Sequence, residues 1–543
     1  MQDRDWWRGA TIYQVYLQSF YDGNGDGVGD LPGLVAHLDY VAALGVDAIW
    51  VTPFYPSPMA DSGYDVADYR GVDPRYGTLG NFDGFVARAH GLGLRVIIDQ
   101  VWSHTAAAHP WFRESRASLT NDKANWYVWS DPAADGGPPN NWLSVFGGNA
   151  WSWSPERRQY YLHHFLPSQP KLNLRDEKVL EAHFANARFW LERGVDGFRL
   201  DAVDFMLHDD ALRDNPPVAI KYGQRPWNPF RLQRHLHDMC QPASQELMRR
   251  IRDFTDRFPG TVTIGEISSE VGALDRIAKM TGSTKLHMAY TLGVMKSDFT
   301  DDTILAAIGE AAMLNRSGWL CWSFSNHDVE RVASRWNPGG HDPAAFATLE
   351  LALLLCLPGS ACLYQGEELG LPQAQVPFDS IRDPFGASFY PAYVGRDGAR
   401  TPIPWQAGAR HSGFSTAERT WLPIDARHDA LAIDRQEQDK KSTLACCRRM
   451  LQFRKAHPAL RTGETERIAL PHPLVAWGRS LGEDRILAIF NLSANAVTVS
   501  VDRLPPFEPA TELGFVAAPQ DGQLRLPPFG VSIGRENGHR QRR

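Results

Sequence analysis

The chain has 543 residues, of which 43% are hydrophobic, and its 56 Lys and Arg residues face 63 Asp and Glu residues, for a formal net charge of −7. This length exceeds what a single compact core usually holds, so we expect two or three domains. The charges are spread along the chain, which argues against nucleic acid or an anionic membrane as a partner.

The first residues do not have the basic and apolar segments of an export signal, and no uncharged stretch is long enough to span a bilayer. The longest apolar segment, LELALLLCLPGSACLY, is interrupted at Pro358 and Gly359, so we predict a buried helix followed by a strand. The six cysteines have no metal-ligand spacing, and reduced thiols favour a cytoplasmic protein.

Short apolar segments alternate with segments of helical periodicity from residue 11 to about residue 456. This alternation is typical of parallel β/α units. We predict strands in TIYQVYL, DAIWV, LRVIIDQV, DGFRL, TVTIGE, LHMAYTL, WLCWSF and ACLYQ. Eight strands with intervening helices predict a (β/α)8 TIM barrel, a fold of the α/β class.

Two segments depart from this alternation. The segment 105–170, after the third strand, is rich in Trp, Asn, Pro and Gly, which predicts a small inserted subdomain. From about residue 460 the pattern changes to short alternating strands, which predicts an antiparallel, sandwich-like β domain over 460–543. The catalytic barrel then comprises residues 1–104 and 171–459.

Ionisable residues end several of the predicted strands, where a (β/α)8 barrel carries its chemistry. Glycoside hydrolysis requires one carboxylate at the anomeric carbon and one carboxyl group that protonates the leaving oxygen. Asp201 and Glu266 end adjacent strands and suit these two roles, and Arg199 is expected to keep Asp201 ionised. Structural ion pairs are the alternative for any one of them, but their joint placement favours catalysis.

Nine motifs in order then carry a resemblance that covers almost the whole chain: WWRGATIYQVYLQSF, GYDVADYRGVDPRYGT, DQVWSHT, QPKLN, GFRLDAV, IGEI, FSNHD, LYQGEELG and GRDGARTPIPW. The sequence resembles glycoside hydrolase family 13, in its branch of bacterial α-glucosidases and oligo-1,6-glucosidases. The resemblance implies a retaining exo-acting α-glucosidase that takes small α-glucosides such as maltose, sucrose and maltooligosaccharides, with some transglucosylation.

The resemblance also implies roles for single residues. Asp201 matches the nucleophile, Glu266 the acid/base, and Asp328 a third carboxylate that binds sugar hydroxyls. The residues implied around the non-reducing glucose, or as pocket wall, are Tyr64, Asp65, His104, Phe146, Phe165, Arg199, His327 and Arg400. Ala202 would border the leaving sugar; in the family a Val there goes with α-1,6 cleavage, so we expect a preference for α-1,4 links.

The chain departs from the family pattern at two of these motifs. Ser103 stands where most members have Asn, which weakens any expectation of a metal at that motif. Lys171 replaces the common Asp of the QPKLN motif, and the sequence attaches no function to this change.

The segment DGNGDGVGD predicts a metal loop after the first strand. Its side-chain oxygens, from Asp22, Asn24, Asp26 and Asp30, follow the spacing of a calcium loop. Gly33 stands where such loops carry a bidentate Glu, and a plain Asp/Gly turn is the alternative. The resemblance adds the carbonyl group of Val28 as a ligand and implies a structural Ca²⁺ or Mg²⁺, with no organic cofactor.

Three other functions compete with hydrolysis. A glucosyltransferase or isomerase acting on sucrose or maltose would use the same site, although the chain has VERVAS after Asp328 and not the RLDRD-type stretch of sucrose isomerases. A noncatalytic barrel would lack the carboxylates, and an endo-acting amylase would need an open cleft. Long segments around the predicted site favour a pocket and hence exo attack. We expect a monomer or a homodimer.

Overall fold

A computed structural model describes residues 4–220, 226–269, 272–314 and 318–537. Eight parallel strands form its main sheet: β1 (Thr11–Val15), β2 (Ala48–Val51), β3 (Arg95–Gln100), β4 (Gly197–Leu200), β5 (Val262–Ile267), β6 (Met288–Thr291), β7 (Cys321–Ser323) and β8 (Ser360–Tyr364). Their order is β7-β8-β1-β2-β3-β4-β5-β6. A parallel bridge between Ala289 and Leu320 links the two edge strands, so the sheet is a nearly closed barrel. The predicted strands and barrel are confirmed.

Helices surround this barrel as its outer layer. They include Leu31–Ala36, Leu38–Leu44, Leu79–Gly91, Glu177–Leu191, Ser244–Thr255, Ala273–Met280, Asp301–Leu314, Pro343–Cys356 and Thr443–Ala456. Side chains cap several of them: Asp342 accepts a hydrogen bond from an amide of the first turn of Pro343–Cys356. That helix is buried on nearly every side and leads into β8, as predicted for the apolar segment. In the part of the chain that the structure describes, no helix is long and apolar enough to span a membrane.

The segment between β3 and the helix Glu177–Leu191 lies over the carboxyl ends of the strands. It contains the helix Pro110–Ala117 and a three-stranded antiparallel sheet of Trp129–Ser130, Trp151–Ser154 and Gln159–Leu162. A small apolar core of its own holds the sheet: Val128, Trp142, Ala150, Trp151 and Leu162. The segment thus has a small core of its own, while Phe112, Trp126 and Tyr127 belong to the main core of the barrel.

The C-terminal part is antiparallel, as predicted. One sheet contains Glu464–Ile468, Leu474–Leu481, Asp484–Asn491, Phe507–Pro509 and Val531–Glu536, and a second contains Val497–Ser500 and Gln523–Leu526. Alternate residues of the two sheets form a common core of Leu474, Ala476, Leu487, Ile489, Val499, Leu504, Leu524 and Leu526. Residues 538–543 of the predicted domain lie outside the described residues.

Candidate active site

Arg199 lies at the centre of a group of buried carboxylates at the carboxyl ends of the strands. Its Nη1 donates to Asp99 at 2.5 Å and to Asp201 at 2.8 Å, and its Nη2 lies 2.7 Å from Glu266. The hydroxyl group of Tyr290 accepts hydrogen bonds from Nε at 3.0 Å and Nη2 at 2.7 Å. One guanidinium group thus joins the predicted nucleophile to the predicted acid/base, which lie on neighbouring strands.

Burial sets the protonation of this pair. Loss of water raises the pKa of Asp201 to about 7 and that of Glu266 to about 8, although Arg199 acts in the opposite direction on both. Arg199 acts on the Asp201 pKa in the direction that the sequence predicted, because its positive charge favours the carboxylate while burial opposes it. Two buried carboxyl groups that contact one guanidinium group favour the retention of a single proton between them. This distribution provides one base and one acid.

Asp328 has a different environment. Its Oδ1 accepts hydrogen bonds from Arg396 and Arg400, both at 2.9 Å, and its Oδ2 lies 3.3 Å from Nε2 of His327. Burial raises the pKa of Asp328, but His327 and the two arginines outweigh it and hold the pKa well below its ordinary value. Asp328 therefore remains a carboxylate and can accept hydrogen bonds from sugar hydroxyls.

Four other predicted residues lie together beside these carboxylates. The rings of Tyr64 and His327 stack with centroids 5.2 Å apart and an angle of 5°. The Tyr64 hydroxyl group lies 3.4 Å from Asp99, and the Tyr64 carbonyl oxygen lies 3.0 Å from Nε2 of His104. Arg400 donates from Nε to the carbonyl oxygen of His327 at 2.7 Å. The contact between Tyr64 and His327 connects two motifs that lie more than 200 residues apart in the chain.

Asp65 takes a supporting position. Its carboxylate accepts hydrogen bonds from the Ser57 hydroxyl group and from the amides of Ala60 and Asp61, so it holds the loop that carries Asp61. Asp61 reaches the site, with Oδ1 2.7 Å from Arg396. Sequence reasoning missed both Asp61 and Arg396. Arg396 lies inside the quoted motif GRDGARTPIPW and Asp61 lies two residues before the motif that begins GYD, so those motifs were the available signal.

Aromatic side chains from three segments line the approach to these residues. The ring of Phe146 lies 6.2 Å from that of Phe165 and 5.1 Å from that of Phe385, and the guanidinium group of Arg396 lies 5.3 Å from its centroid. The ring of Trp227 lies 5.6 Å from that of Phe385. The structure therefore brings the two predicted wall residues together with the long loops after β4 and β8.

Ala202 follows Asp201 in a left-handed conformation, with φ 43°. Its amide donates to Oε2 of Glu266 at 2.9 Å. Its side chain is buried in a cluster with Phe205 and Met239, and Phe165 packs against that cluster. The residue thus contacts the acid/base through its backbone and the pocket wall through its side chain.

The predicted metal loop is held by its own hydrogen bonds. The two carboxylate oxygens of Asp22 accept amide hydrogen bonds from Gly25 and Gly27, each at 2.7 Å. Asp30 caps the helix Leu31–Ala36 through Oδ1, whereas its Oδ2 is buried without a partner. Within the described ranges, no three His, Cys, Asp or Glu side chains gather as a metal site. The donors of the predicted set, from Asp22, Asn24, Asp26, Val28 and Asp30, are oxygens of the kind that Ca²⁺ takes.

Comparisons with known proteins agree with this geometry. The family model for the α-amylase catalytic domain matches residues 14–463. A probable α-glucosidase of Rhizobium meliloti is 47% identical over 98% of this chain and 97% of its own length. An oligo-1,6-glucosidase of Heyndrickxia coagulans is 32% identical over 92% of this chain and 94% of its own length.

Solved structures are similar over nearly the whole chain. The α-glucosyl transfer enzyme XgtA has a TM-score of 0.93 and 47% identity, and the match covers 98% of this chain and 99% of that one. The trehalulose synthase MutB of Pseudomonas mesoacidophila has a TM-score of 0.87 and 31% identity over 98% and 99% of the two chains. These matches include hydrolases, a transferase and an isomerase.

Proposed function

This chain belongs to the α-amylase family of glycoside hydrolases, and from that premise we propose that it is a retaining, exo-acting α-glucosidase. The observation that carries the proposal is the guanidinium group of Arg199, which joins Asp201 to Glu266. Burial raises the pKa values of both carboxyl groups, which favours the retention of a proton that the pair can donate to the leaving oxygen.

The arrangement supports a double displacement. The carboxylate of Asp201 attacks the anomeric carbon, the bond to the leaving oxygen breaks, and Glu266 gives its proton to that oxygen. Glu266, now a carboxylate, takes a proton from water, which attacks the glucosyl ester and releases α-glucose. The ionised Asp328 accepts hydrogen bonds from the glucose hydroxyl groups during both steps.

Several features support attack at a chain end. The aromatic wall of Phe146, Phe165 and Phe385 and the buried contact between Asp61 and Arg396 border the carboxylates on the side of the long loops. An enclosed site of this kind suits a terminal glucose unit of a short substrate better than the middle of a polymer. We propose maltose, sucrose and maltooligosaccharides as substrates, with α-1,4 links preferred.

A second candidate function is glucosyl transfer or isomerisation of sucrose or maltose in the same site. It is supported by the solved structures of a glucosyl transfer enzyme and a trehalulose synthase. The carboxylate of Glu266 could take a proton from a sugar hydroxyl group as well as from water. Incubation with maltose, isomaltose, sucrose, trehalose and starch, followed by identification of every product, separates hydrolysis, transfer and isomerisation.

We expect the first glucose released from an aryl α-glucoside, whose leaving group adds no second glucose, to have the α configuration. Two displacements at the anomeric carbon restore its starting configuration. A proton NMR time course recorded before mutarotation measures it. Initial β-glucose would mean a single displacement and would exclude Asp201 as a nucleophile.

We also propose the partners, the location and the oligomeric state of the protein. The spread of charge supports small sugars as partners and argues against nucleic acid or membrane. The free cysteines Cys240, Cys321, Cys356, Cys362, Cys446 and Cys447 support a cytoplasmic location. We propose a monomer or a homodimer.

We propose that the loop from Asp22 to Asp30 binds a structural Ca²⁺ or Mg²⁺. The unpartnered Oδ2 of Asp30 and the neighbouring oxygens support the proposal, and no step of the reaction involves the ion. A chelator should then lower the melting temperature, because the ion binds the native state alone, whereas activity at low temperature should persist. An unchanged melting temperature would favour a plain turn, and loss of activity in folded protein would indicate a catalytic metal.

Ala202→Val should shift linkage preference towards α-1,6. A larger side chain beside the leaving sugar crowds a directly joined ring, and we expect the ratio of kcat/KM for isomaltose over maltose to rise roughly tenfold. A branched residue at φ 43° also costs about 1 to 3 kcal/mol, so thermal unfolding of the variant must be measured beside its kinetics. An unchanged ratio in a folded variant would remove Ala202 from the specificity argument.

A further inference from the structure

Lys171 is a buried lysine at the junction between the inserted segment and the barrel. Only 1% of the surface of this residue is exposed to solvent. Its amide donates to the carbonyl oxygen of Leu162, and its carbonyl oxygen accepts from the amide of Val128, so the small antiparallel sheet holds its backbone. A β-bridge also pairs it with His104, which lies in the candidate active site. The backbone of Lys171 is therefore held by the small sheet on one side and by His104 on the other.

The ammonium group of Lys171 reaches the turn that follows the nucleophile. Nζ donates to the carbonyl oxygens of Phe205 and Met206, the latter at 3.0 Å. These two carbonyl groups close the 3-10 turn Val203–Phe205, which begins directly after Ala202. The carbonyl groups at the end of a helical turn carry partial negative charge and have no partners within the turn. The ammonium group supplies both a charge and two donors to them.

Hydrogen bonds also join this turn to the strand β5, which carries Glu266, and to the residues that follow it. The amide of Ala202 donates to Glu266 at 2.9 Å, and the amide of Ser269 donates to Asp204 at 2.9 Å. A shift of the turn would therefore move the nucleophile relative to the proton donor. Misplacement of reacting groups by about 1 Å can lower a rate by about 100-fold.

The surroundings of Lys171 provide carbonyl oxygens as acceptors for the donors on Nζ. Among the described residues, no ion pair joins a carboxylate to Nζ, and the charged or ionisable side chains that interact with it are Arg175, His104, His164 and His208. Burial, with a smaller effect of Arg175, lowers the pKa of Lys171 to about 7. An apolar side chain in its place would leave two buried carbonyl groups without donors, which is costly.

We propose that Lys171 is a positioning residue, whose ammonium group holds the turn after Asp201 so that nucleophile and acid/base keep their separation. The inference rests on the proposed function, because it assigns Lys171 a part in that reaction. It also gives a meaning to the replacement of the common Asp in this motif. The competing explanation is that the aliphatic stem of Lys171 only fills space between the two units.

Lys171→Met tests the charge, since it keeps the length of the side chain and removes the donors. We expect kcat for maltose to fall about 10- to 100-fold, with KM changed less than about threefold. Lys178→Met, at an exposed position of the helix Glu177–Leu191, is the matched control and should behave as wild type. A folded Lys171→Met variant with wild-type kcat would overturn the proposal. If Lys171→Met does not fold, the same kinetic comparison is made with Lys171→Gln, which keeps hydrogen-bond donors without the charge.

Lys171→Ala tests the role by chemical rescue. The substitution removes the ammonium group together with most of its stem, so added propylammonium can bind the two carbonyl groups in its place. We expect propylammonium to raise kcat of this variant by about tenfold or more and to raise its melting temperature. Propanol at the same concentration should do neither, and wild type should not respond. Equal rescue by the alcohol would mean that only volume matters and would overturn the proposal.

These readouts separate the two proposals. A wild-type protein without activity on any α-glucoside would refute the proposed function. The effect of propylammonium on the melting temperature of Lys171→Ala would still report whether an ammonium group holds the turn. An unchanged melting temperature, together with unchanged kcat, would refute the positioning role while wild-type activity supported the proposed function.

Discussion

Replacement of Asp201 by Asn should lower kcat for maltose roughly 10⁴-fold or more, because the amide cannot form the glucosyl ester. The shape of the side chain is kept, and Arg199 retains Asp99 and Glu266 as partners, so the fold should persist. Initial rates measured with purified protein, together with its thermal unfolding curve, give both results.

Asp253→Asn provides the control for this change, since Asp253 is exposed on the helix Ser244–Thr255. It should leave kcat unchanged. Azide identifies the role of Asp201 more directly: in a folded Asp201→Gly variant, azide should displace the leaving group once and form β-glucosyl azide. Turnover of Asp201→Asn near the wild-type rate would refute the assignment.

Replacement of Glu266 by Gln should lower kcat for maltose roughly 10²- to 10⁴-fold, because Gln cannot protonate the leaving oxygen. An aryl α-glucoside whose leaving group needs no proton should be affected far less in the first step. Added azide should then attack the glucosyl ester on Asp201 and yield α-glucosyl azide, the opposite anomer to that from the nucleophile variant. Equal losses with maltose and with the aryl glucoside would argue against a proton donor at Glu266.

The wild-type protein has a pH-dependent stability that follows from the burial of Glu266 and that the Glu266→Gln variant lacks. The pKa of Glu266 is raised from 4.5 to about 8, so folding favours its neutral form. The stability contributed by the neutral group is complete below the unfolded pKa and is lost as the pH rises through about 8. Gln does not ionise, so the melting temperature of Glu266→Gln relative to wild type should increase between pH 5 and pH 9. A constant difference would contradict the buried, proton-retaining environment of Glu266.

The barrel and its three carboxylates were predictable because the signals that specify them are local. The eight strands are short apolar segments between helical segments, and Asp201 and Glu266 end two neighbouring strands, so strand order alone brings them together. The family motifs added Asp328 and most of the pocket residues. The motif did not reveal Asp61, which lies just before it: the Asp65 carboxylate holds the loop, and Asp61 reaches Arg396.

Tertiary structure alone decided the protonation of the site and the partners of Lys171. The pKa values of Asp201 and Glu266 depend on how completely the barrel and its long loops remove water, and no local pattern measures that. Lys171 contacts carbonyl groups more than 30 residues away, and backbone carbonyls carry no residue-specific signal. The sequence by itself determined the strands, the fold and the carboxylates, through periodicity and motifs. Only the packed chain decided which buried side chains are ionised. Ionisation depends on how much water is excluded and on which backbone groups take the place of that water as hydrogen-bond partners.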